Sequence, residues 1–305
     1  MTPIVGLLQL LGIGFLLYAS ALVFYTIWAL THPPRVTYAS AIHRGLPGDP
    51  SELESPCAFT EETIKGTKGE LPIWIIPGKN TNGPRVIFTH GWGSSRQGGL
   101  KRIDPFIESA SEIILWDLPG HGDAEGFAQM GTNEHHDLAR ILETRVNGNH
   151  RETLLFGWSM GAGITLAFAN EYTSKFHIVG VICESPYVHA ITPARNVIRL
   201  KGVPYRINLR PAMSILGIIL GVGPKWQGFA RDELARGVQS QVLIIHGRVD
   251  PVSPIQDGID IERAAQDAKI FILDDAGHNN LWSGVDGVFH QESSQAISAF
   301  IANKV

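Results

Sequence analysis

From about residue 60 onward, short apolar runs alternate with stretches of helical spacing, and this alternation narrows the available folds more than any other feature of the chain. The candidate strands are Leu71–Ile76, Arg85–Thr89, Glu112–Trp116, Thr153–Gly157, His177–Cys183, Gln241–Ile245 and Lys269–Leu273. Several are nearly continuous apolar runs, as expected of strands covered on both faces. Glu134–Val146, Met160–Tyr172, Pro254–Ala268 and Gln291–Ala302 read as helices between them. This order predicts an α/β fold: a mostly parallel sheet with helices on both faces. The stretch from about Tyr187 to Arg236 breaks the rhythm and is too long for a connection, so residues 187–236 read as an inserted cap. Hydrophobic residues make up 44% of the 305, enough for a packed core and too many for a disordered chain.

A second constraint precedes the alternation. No charged residue occurs from Ile4 to Leu30. As a helix this run would be about 40 Å long, more than the roughly 30 Å of a bilayer core. Tyr25 and Trp28 near its end suit a membrane interface. A cleaved signal peptide would carry a basic start and a shorter apolar core, and a soluble core helix would show a polar face. The expectation is an N-terminal transmembrane helix, with anchor and flank over residues 1–34, a Pro-rich linker over 35–60 and the main domain over 61–305. Arg35 and Arg44 follow the run, which under the positive-inside rule favours that domain on the cytoplasmic side of a single-pass membrane protein.

Composition removes other classes. Lys plus Arg is 25 against 29 Asp plus Glu, a net charge of −4, and that near balance argues against a nucleic-acid binder, which would need a basic field. Two cysteines, Cys57 and Cys183, cannot build a disulfide framework or a cysteine zinc site. Neither a dinucleotide nor a Walker phosphate loop occurs. Glu134-His135-His136 lacks metal-ligand spacing and reads as a helix start, so no metal site is expected.

The chemistry concentrates at four places. Gly157-Trp158-Ser159-Met160-Gly161 fits G-x-S-x-G, with the apolar TLLFGW before the serine and the helical MGAGITLAFAN after it. A sharp strand-to-helix turn exposes a serine hydroxyl, and the glycines on either side relieve the crowding. Serine is a weak nucleophile and needs a base. His278, just past the strand KIFIL, is the candidate. The imidazole needs an orienting carboxylate. Asp250 follows the apolar VLIIHG, while Asp274 and Asp275 are rivals on the loop of His278 itself. Developing oxyanion charge needs donors. The backbone N–H of Met160 and that of Trp92, in His90-Gly91-Trp92, are the candidates, with His90 a structural loop residue. In the cap, Pro211 to Val222 is a charge-free run whose helical face around Ile215 and Ile219 could pack, line an acyl pocket or meet lipid.

These pieces, taken in order, carry a resemblance. HGWGSS, DLPGHGDAEG (Asp117 to Gly126), GWSMG, ESPY (Glu184 to Tyr187), HGRVDPVSP and AGHNN resemble the serine-hydrolase branch of the α/β-hydrolase fold over residues 60–305. The single N-terminal apolar run makes the chain most similar to membrane-anchored members. The resemblance implies a Ser159–Asp250–His278 triad that hydrolyses esters, thioesters or amides without a metal or organic cofactor. Its nucleophile position holds Ser159 rather than Asp, unlike the dehalogenase and epoxide-hydrolase branch. The expected activity is acyl-ester hydrolysis through an acyl-enzyme, with a small-molecule or lipid acyl substrate and the membrane reached through residues 4–30. Thioesterase, acyltransferase and serine peptidase share the triad, and a membrane-tethered binding module is the non-enzymatic alternative.

Overall fold

The structure, a computed structural model, describes residues 3–145, 151–282 and 288–302. Its centre is an eight-stranded sheet: β1 Thr60–Lys65, β2 Glu70–Pro77, β3 Arg85–Thr89, β4 Glu112–Trp116, β5 Thr153–Trp158, β6 Ile178–Glu184, β7 Val242–Gly247 and β8 Ala268–Leu273. The spatial order is β1-β2-β4-β3-β5-β6-β7-β8. The pairings β1–β2 and β2–β4 are antiparallel, and every pairing from β4 to β8 is parallel. The helices are α1 Pro3–Thr31, α2 Tyr38–His43, α3 Asp104–Ile107, α4 Glu134–Arg145, α5 Met160–Glu171, α6 Ile191–Leu200, α7 Leu209–Ile219, α8 Arg231–Ala235, α9 Ile255–Ala264 and α10 Val288–Ala302. Val146, at the expected end of α4, lies outside the described residues.

All seven expected strands are present, with ends shifted by a residue or two. Every residue of β3, β5 and β7 is buried, in keeping with their unbroken apolar runs. Side-chain alternation divides them between two cores. Val86, Phe88, Leu154, Phe156, Leu243 and Ile245 face the side of α3 and α10. Ile87, Leu155 and Ile244 face the side of α4, α5 and the cap. β1 carries no apolar alternation and is not among the expected strands. Its TEETIK buries only Ile64 and joins the sheet through a backbone register running from Thr60↔Ile75 to Lys65↔Glu70. A solvent-facing edge strand needs no apolar alternation, so it left no pattern to read.

The helix expected over Pro254–Ala268 ends at Ala264, because Ala268 already pairs with Val242 in the sheet. The cap between β6 and β7 consists of α6, α7 and α8. Helix α1 meets it directly. Side chains from Ile4 to Tyr18 are almost all exposed, whereas Thr26, Ala29, Leu30 and Thr31 are buried. Asn208 donates to Thr26 Oγ1 at 2.6 Å, and Trp92 Nε1 donates to the Leu30 carbonyl at 2.8 Å. Past the helix, Arg35 donates to the carbonyls of Gly122 and Ala124.

A buried ion pair ties the segment before α3 to the end of β6. Arg102 Nε donates to Glu184 Oε2 at 2.7 Å, its Nη2 reaches Oε1, and Trp282 Nε1 also donates to Oε2 at 2.7 Å. The guanidinium lies 4.2 Å from the Trp158 ring centroid. Burial alone would raise the Glu184 carboxyl, but the Arg102 charge and these donors hold it below the ordinary carboxylate range. Removing one partner strands the other's charge in a dry site. Arg102→Met is therefore expected to lower the unfolding free energy by about 3–5 kcal/mol, read by denaturant titration of the full chain in detergent. Adding Glu184→Gln should restore part of the loss. A loss of under about 1 kcal/mol, the scale of a surface pair, would contradict a structural role.

Candidate active site

Ser159 sits between the last residue of β5 and the first of α5, with φ 54° and ψ −114°. A non-glycine residue there is strained by about 1–3 kcal/mol and persists only when its surroundings hold it. The neighbouring glycines show why the turn closes. A Cβ on Gly157 would lie 2.3 Å from the Gly161 carbonyl oxygen, and one on Gly161 would lie 1.9 Å from the Thr89 carbonyl oxygen. The elbow is also tied to the next strand, because Ser159 N donates to the Glu184 carbonyl at 2.8 Å.

His278 lies on the loop after β8 and Asp250 on the loop after β7, so both emerge at the carboxyl edge of the sheet beside Ser159. His278 Nε2 is 3.0 Å from Ser159 Oγ, and its Nδ1 is 2.7 Å from Asp250 Oδ2. The other oxygen of Asp250 accepts from the backbone N–H of Val252 and of Ser253, each at 2.8 Å. Burial would raise the Asp250 carboxyl, but His278 and these two amides together hold it below its ordinary value. An ionised carboxylate only accepts, so Nδ1 carries the imidazole proton and Nε2 is left to accept from the serine hydroxyl. Behind the pair, buried His246 is 2.9 Å from the Ser253 carbonyl, and its Nε2 is 3.6 Å from Asp250 Oδ2. The rival carboxylates point elsewhere. Asp274 accepts from Arg248 at 2.6 Å on the surface, and Asp275 is exposed.

Trp92 and Met160 border one cavity with Ser159 and His278. The loop bearing Trp92 rests on the elbow: a Cβ on Gly91 would stand 3.2 Å from the Ser159 Cβ. His90 is fully buried. Its Nε2 accepts from Leu118 N at 3.0 Å and its Nδ1 faces the Gly91 carbonyl at 2.8 Å, so both ring nitrogens are engaged. Burial pushes its pKa well below the ordinary histidine value, and that of the adjacent His121 down to about 4.

Two cavities meet at the serine. One, of about 290 Å³, is walled by Leu30, Met130, Tyr187 and the α6 residues Pro193, Ala194, Val197 and Leu200. The other, of about 440 Å³, runs beneath the segment from Val36 to Leu53. Ile215 and Ile219, read from the sequence as a face that packs, lines an acyl pocket or meets lipid, are 43% and 58% exposed and border neither cavity. α6 lines the apolar cavity instead. Sequence spacing also missed a neighbour of His135 and His136. Glu171, from α5, brings its carboxylate within 4.8 Å of donors on both rings, and His135 Nε2 is 2.9 Å from it. Glu134 accepts from the backbone N–H of Gln129, Gly131 and Asn133 and so orders the loop entering α4.

The profile of the Alpha/beta hydrolase family matches residues 86–291. A lysophosphatidylserine lipase of Bos taurus is 23% identical over 213 residues, covering 68% of this chain and 52% of the lipase. The chain thus spans about half the length of that relative. A 2-hydroxy-6-oxononadienedioate/2-hydroxy-6-oxononatrienedioate hydrolase of Escherichia coli is 25% identical over 240 residues, covering 66% of this chain and 83% of that enzyme. Among solved structures, an esterase of Pyrococcus furiosus aligns over 90% of this chain and 98% of its own, with TM-score 0.67 and 18% identity. A bacterial membrane phospholipase A aligns over 97% of this chain and 98% of its own, with TM-score 0.58 and 17% identity. The matched region begins in β3, ends in α10 and takes in the elbow and both loops that face it. The chain belongs to the Alpha/beta hydrolase family.

Proposed function

We propose that this protein is a membrane-attached serine hydrolase that cleaves acyl esters, lipid esters among them, through Ser159, His278 and Asp250. The observation that carries this reading is the unbroken chain from Asp250 through His278 to Ser159, set at the mouth of an apolar cavity. His278 takes the proton of Ser159 as Oγ attacks the acyl carbonyl. The resulting oxyanion is received by the backbone N–H groups of Trp92 and Met160. Collapse expels the alcohol, which takes the proton from His278, and water then releases the acid by the same route. These steps call on no cofactor. Relatives named for lysophosphatidylserine and phospholipid hydrolysis support a lipid ester over a peptide. A chain-length series of p-nitrophenyl esters and acyl thioesters tests the reading. Turnover that rises with chain length on oxygen esters fits it, and a strong preference for thioesters would move the activity to the thioesterase class.

Among the described residues, α1 is the one helix long and apolar enough to cross a membrane. The cap adds a second feature suited to a bilayer surface. Between Ser185 and Ala230 it carries Arg195, Arg199, Lys201, Arg206, Arg210 and Lys225 and no acidic residue, in a chain of net charge −4. Leu200, Ile218 and Ile219 are exposed among them. Anionic headgroups attract such a surface while its apolar side chains enter the interface. The full-length protein is therefore expected to stay in the membrane pellet through high-salt and carbonate washes. Its release into the supernatant, or a mature N-terminus beyond residue 30, would contradict a retained span.

A further inference from the structure

The two cavities that share the serine differ in charge. Away from Ser159, His278 and Asn279 the smaller is lined mainly by apolar side chains, with Lys201 its one cation, whose ammonium rests over the Trp92 ring, 5.1 Å from its centroid. The larger includes Arg44, Lys101 and Arg102 among its lining and no Asp or Glu. Arg102 is neutralised by Glu184. Arg44 and Lys101, both exposed, have no ion pair or side-chain hydrogen bond among the described residues, and no carboxylate shares the cavity with them. Ser159, His278 and Asn279 border both cavities, so an ester held at Ser159 extends one half into each.

On the reading that Ser159 is the acylated nucleophile, we propose that the Arg44–Lys101 cavity is a binding subsite for an anionic leaving group, so that the substrate is an acyl ester of a phosphate-bearing alcohol. The aliphatic half belongs in the apolar cavity, because burying it among Met130, Tyr187 and Val197 removes methylene surface from water. The phosphate belongs between two cations that have no protein counterion, where charge-assisted hydrogen bonds are strongest. Only the acyl carbon–oxygen bond is exchanged. Ser159 Oγ bonds to the acyl carbon, the alcohol oxygen leaves with the proton carried by His278, and the phosphate passes through unchanged. Lys101 is solvent-exposed as a residue and lines the cavity wall. Its ammonium lies in a concave site, where the surrounding protein and the adjacent Arg102 push its pKa down to about 8, against a smaller opposing pull from Glu184. Arg44, in the turn after α2, lines the same cavity.

The test compares two substrates with one acyl chain on the full-length protein in detergent micelles: a lysophospholipid with an anionic phosphate headgroup and the neutral monoacylglycerol. The wild-type kcat/KM is expected to favour the anionic ester by tenfold or more. Lys101→Gln and, separately, Arg44→Gln should each collapse that ratio by about tenfold, chiefly through KM, while Lys101→Arg retains most of it. Melting temperatures measured alongside separate loss of the subsite from loss of the fold. Glycerol 3-phosphate, added against a soluble short-chain ester, identifies the source of the anion. Competitive inhibition that Lys101→Gln weakens means that the subsite takes a free phosphate, and intact lipid selectivity without inhibition means that it takes the headgroup only within a lipid. A ratio near one in the wild type, or a ratio that neither Gln variant changes, overturns the proposal. Failure of the underlying reading shows differently: Ser159→Ala would still hydrolyse both substrates.

Discussion

Ser159→Ala is expected to lower kcat for ester hydrolysis by about 10⁶-fold, the scale on which removing a triad nucleophile acts, with an unchanged melting temperature. The elbow should survive, because what closes it is the absence of side chains at Gly157 and Gly161 and the Ser159 N–H bond to Glu184, none of which involves Oγ. Alanine bears the same backbone strain at φ 54° as serine does. What disappears is the atom proposed to attack the carbonyl, which His278 Nε2 meets at 3.0 Å. Hydrolysis of a soluble p-nitrophenyl ester, followed beside a thermal melt, checks both halves. Near wild-type turnover would remove Ser159 from the mechanism. A collapsed melt would show that the hydroxyl serves the fold instead.

Asp250→Asn should cost about 10⁴-fold in kcat, the loss that accompanies a wrongly oriented imidazole. The backbone groups dictate how an asparagine would sit. Val252 N–H and Ser253 N–H both point at Oδ1, so the amide oxygen takes that place and the NH2 turns toward His278 Nδ1. The imidazole must then accept at Nδ1 and carry its proton on Nε2, facing Ser159, where it cannot act as a base. The variant also loses the negative charge that stabilises the imidazolium. Asp274→Asn and Asp275→Asn should leave the rate close to wild type, since Asp274 is engaged with Arg248 on the surface and Asp275 is exposed. Kinetics of the three variants on one ester decide the matter. A large loss at Asp274 or Asp275 with little at Asp250 would reassign the carboxylate.

The sheet and the three loops at its carboxyl edge were legible because each is announced locally. Runs such as VLIIHG and TLLFGW have no other stable place than a strand covered on both faces, and the residue after such a strand falls at the edge where chemistry collects. Ser159, Asp250 and His278 could be placed in this way, and the structure brings them within hydrogen-bonding distance. What could not be read depends on partners far apart in the chain. Arg102 and Glu184 are 82 residues apart, and neither is surrounded by a pattern that names the other. Glu171 joins His135 and His136 only because α5 packs beside α4. β1 is held by backbone pairing to β2, to which its polar side chains give no clue. The α7 face around Ile215 and Ile219 reads equally well as buried or exposed, since an apolar helix face records what it avoids but not what covers it. The apolar run at the N-terminus predicted a span, but not that its last turn would put Leu30 into the cavity wall beside the serine.

The central claim is that Ser159 becomes acylated, and the most direct measurement is the site of covalent labelling by a fluorophosphonate, mapped by peptide mass spectrometry on the full-length protein. The account predicts a single phosphonylated residue, Ser159, on the peptide that spans the β5–α5 turn. It also predicts loss of hydrolysis in step with the extent of labelling and no adduct in Ser159→Ala. An adduct on another serine, such as Ser185 or Ser253, that tracks the loss of activity would contradict it, as would full inhibition while Ser159 remains unmodified.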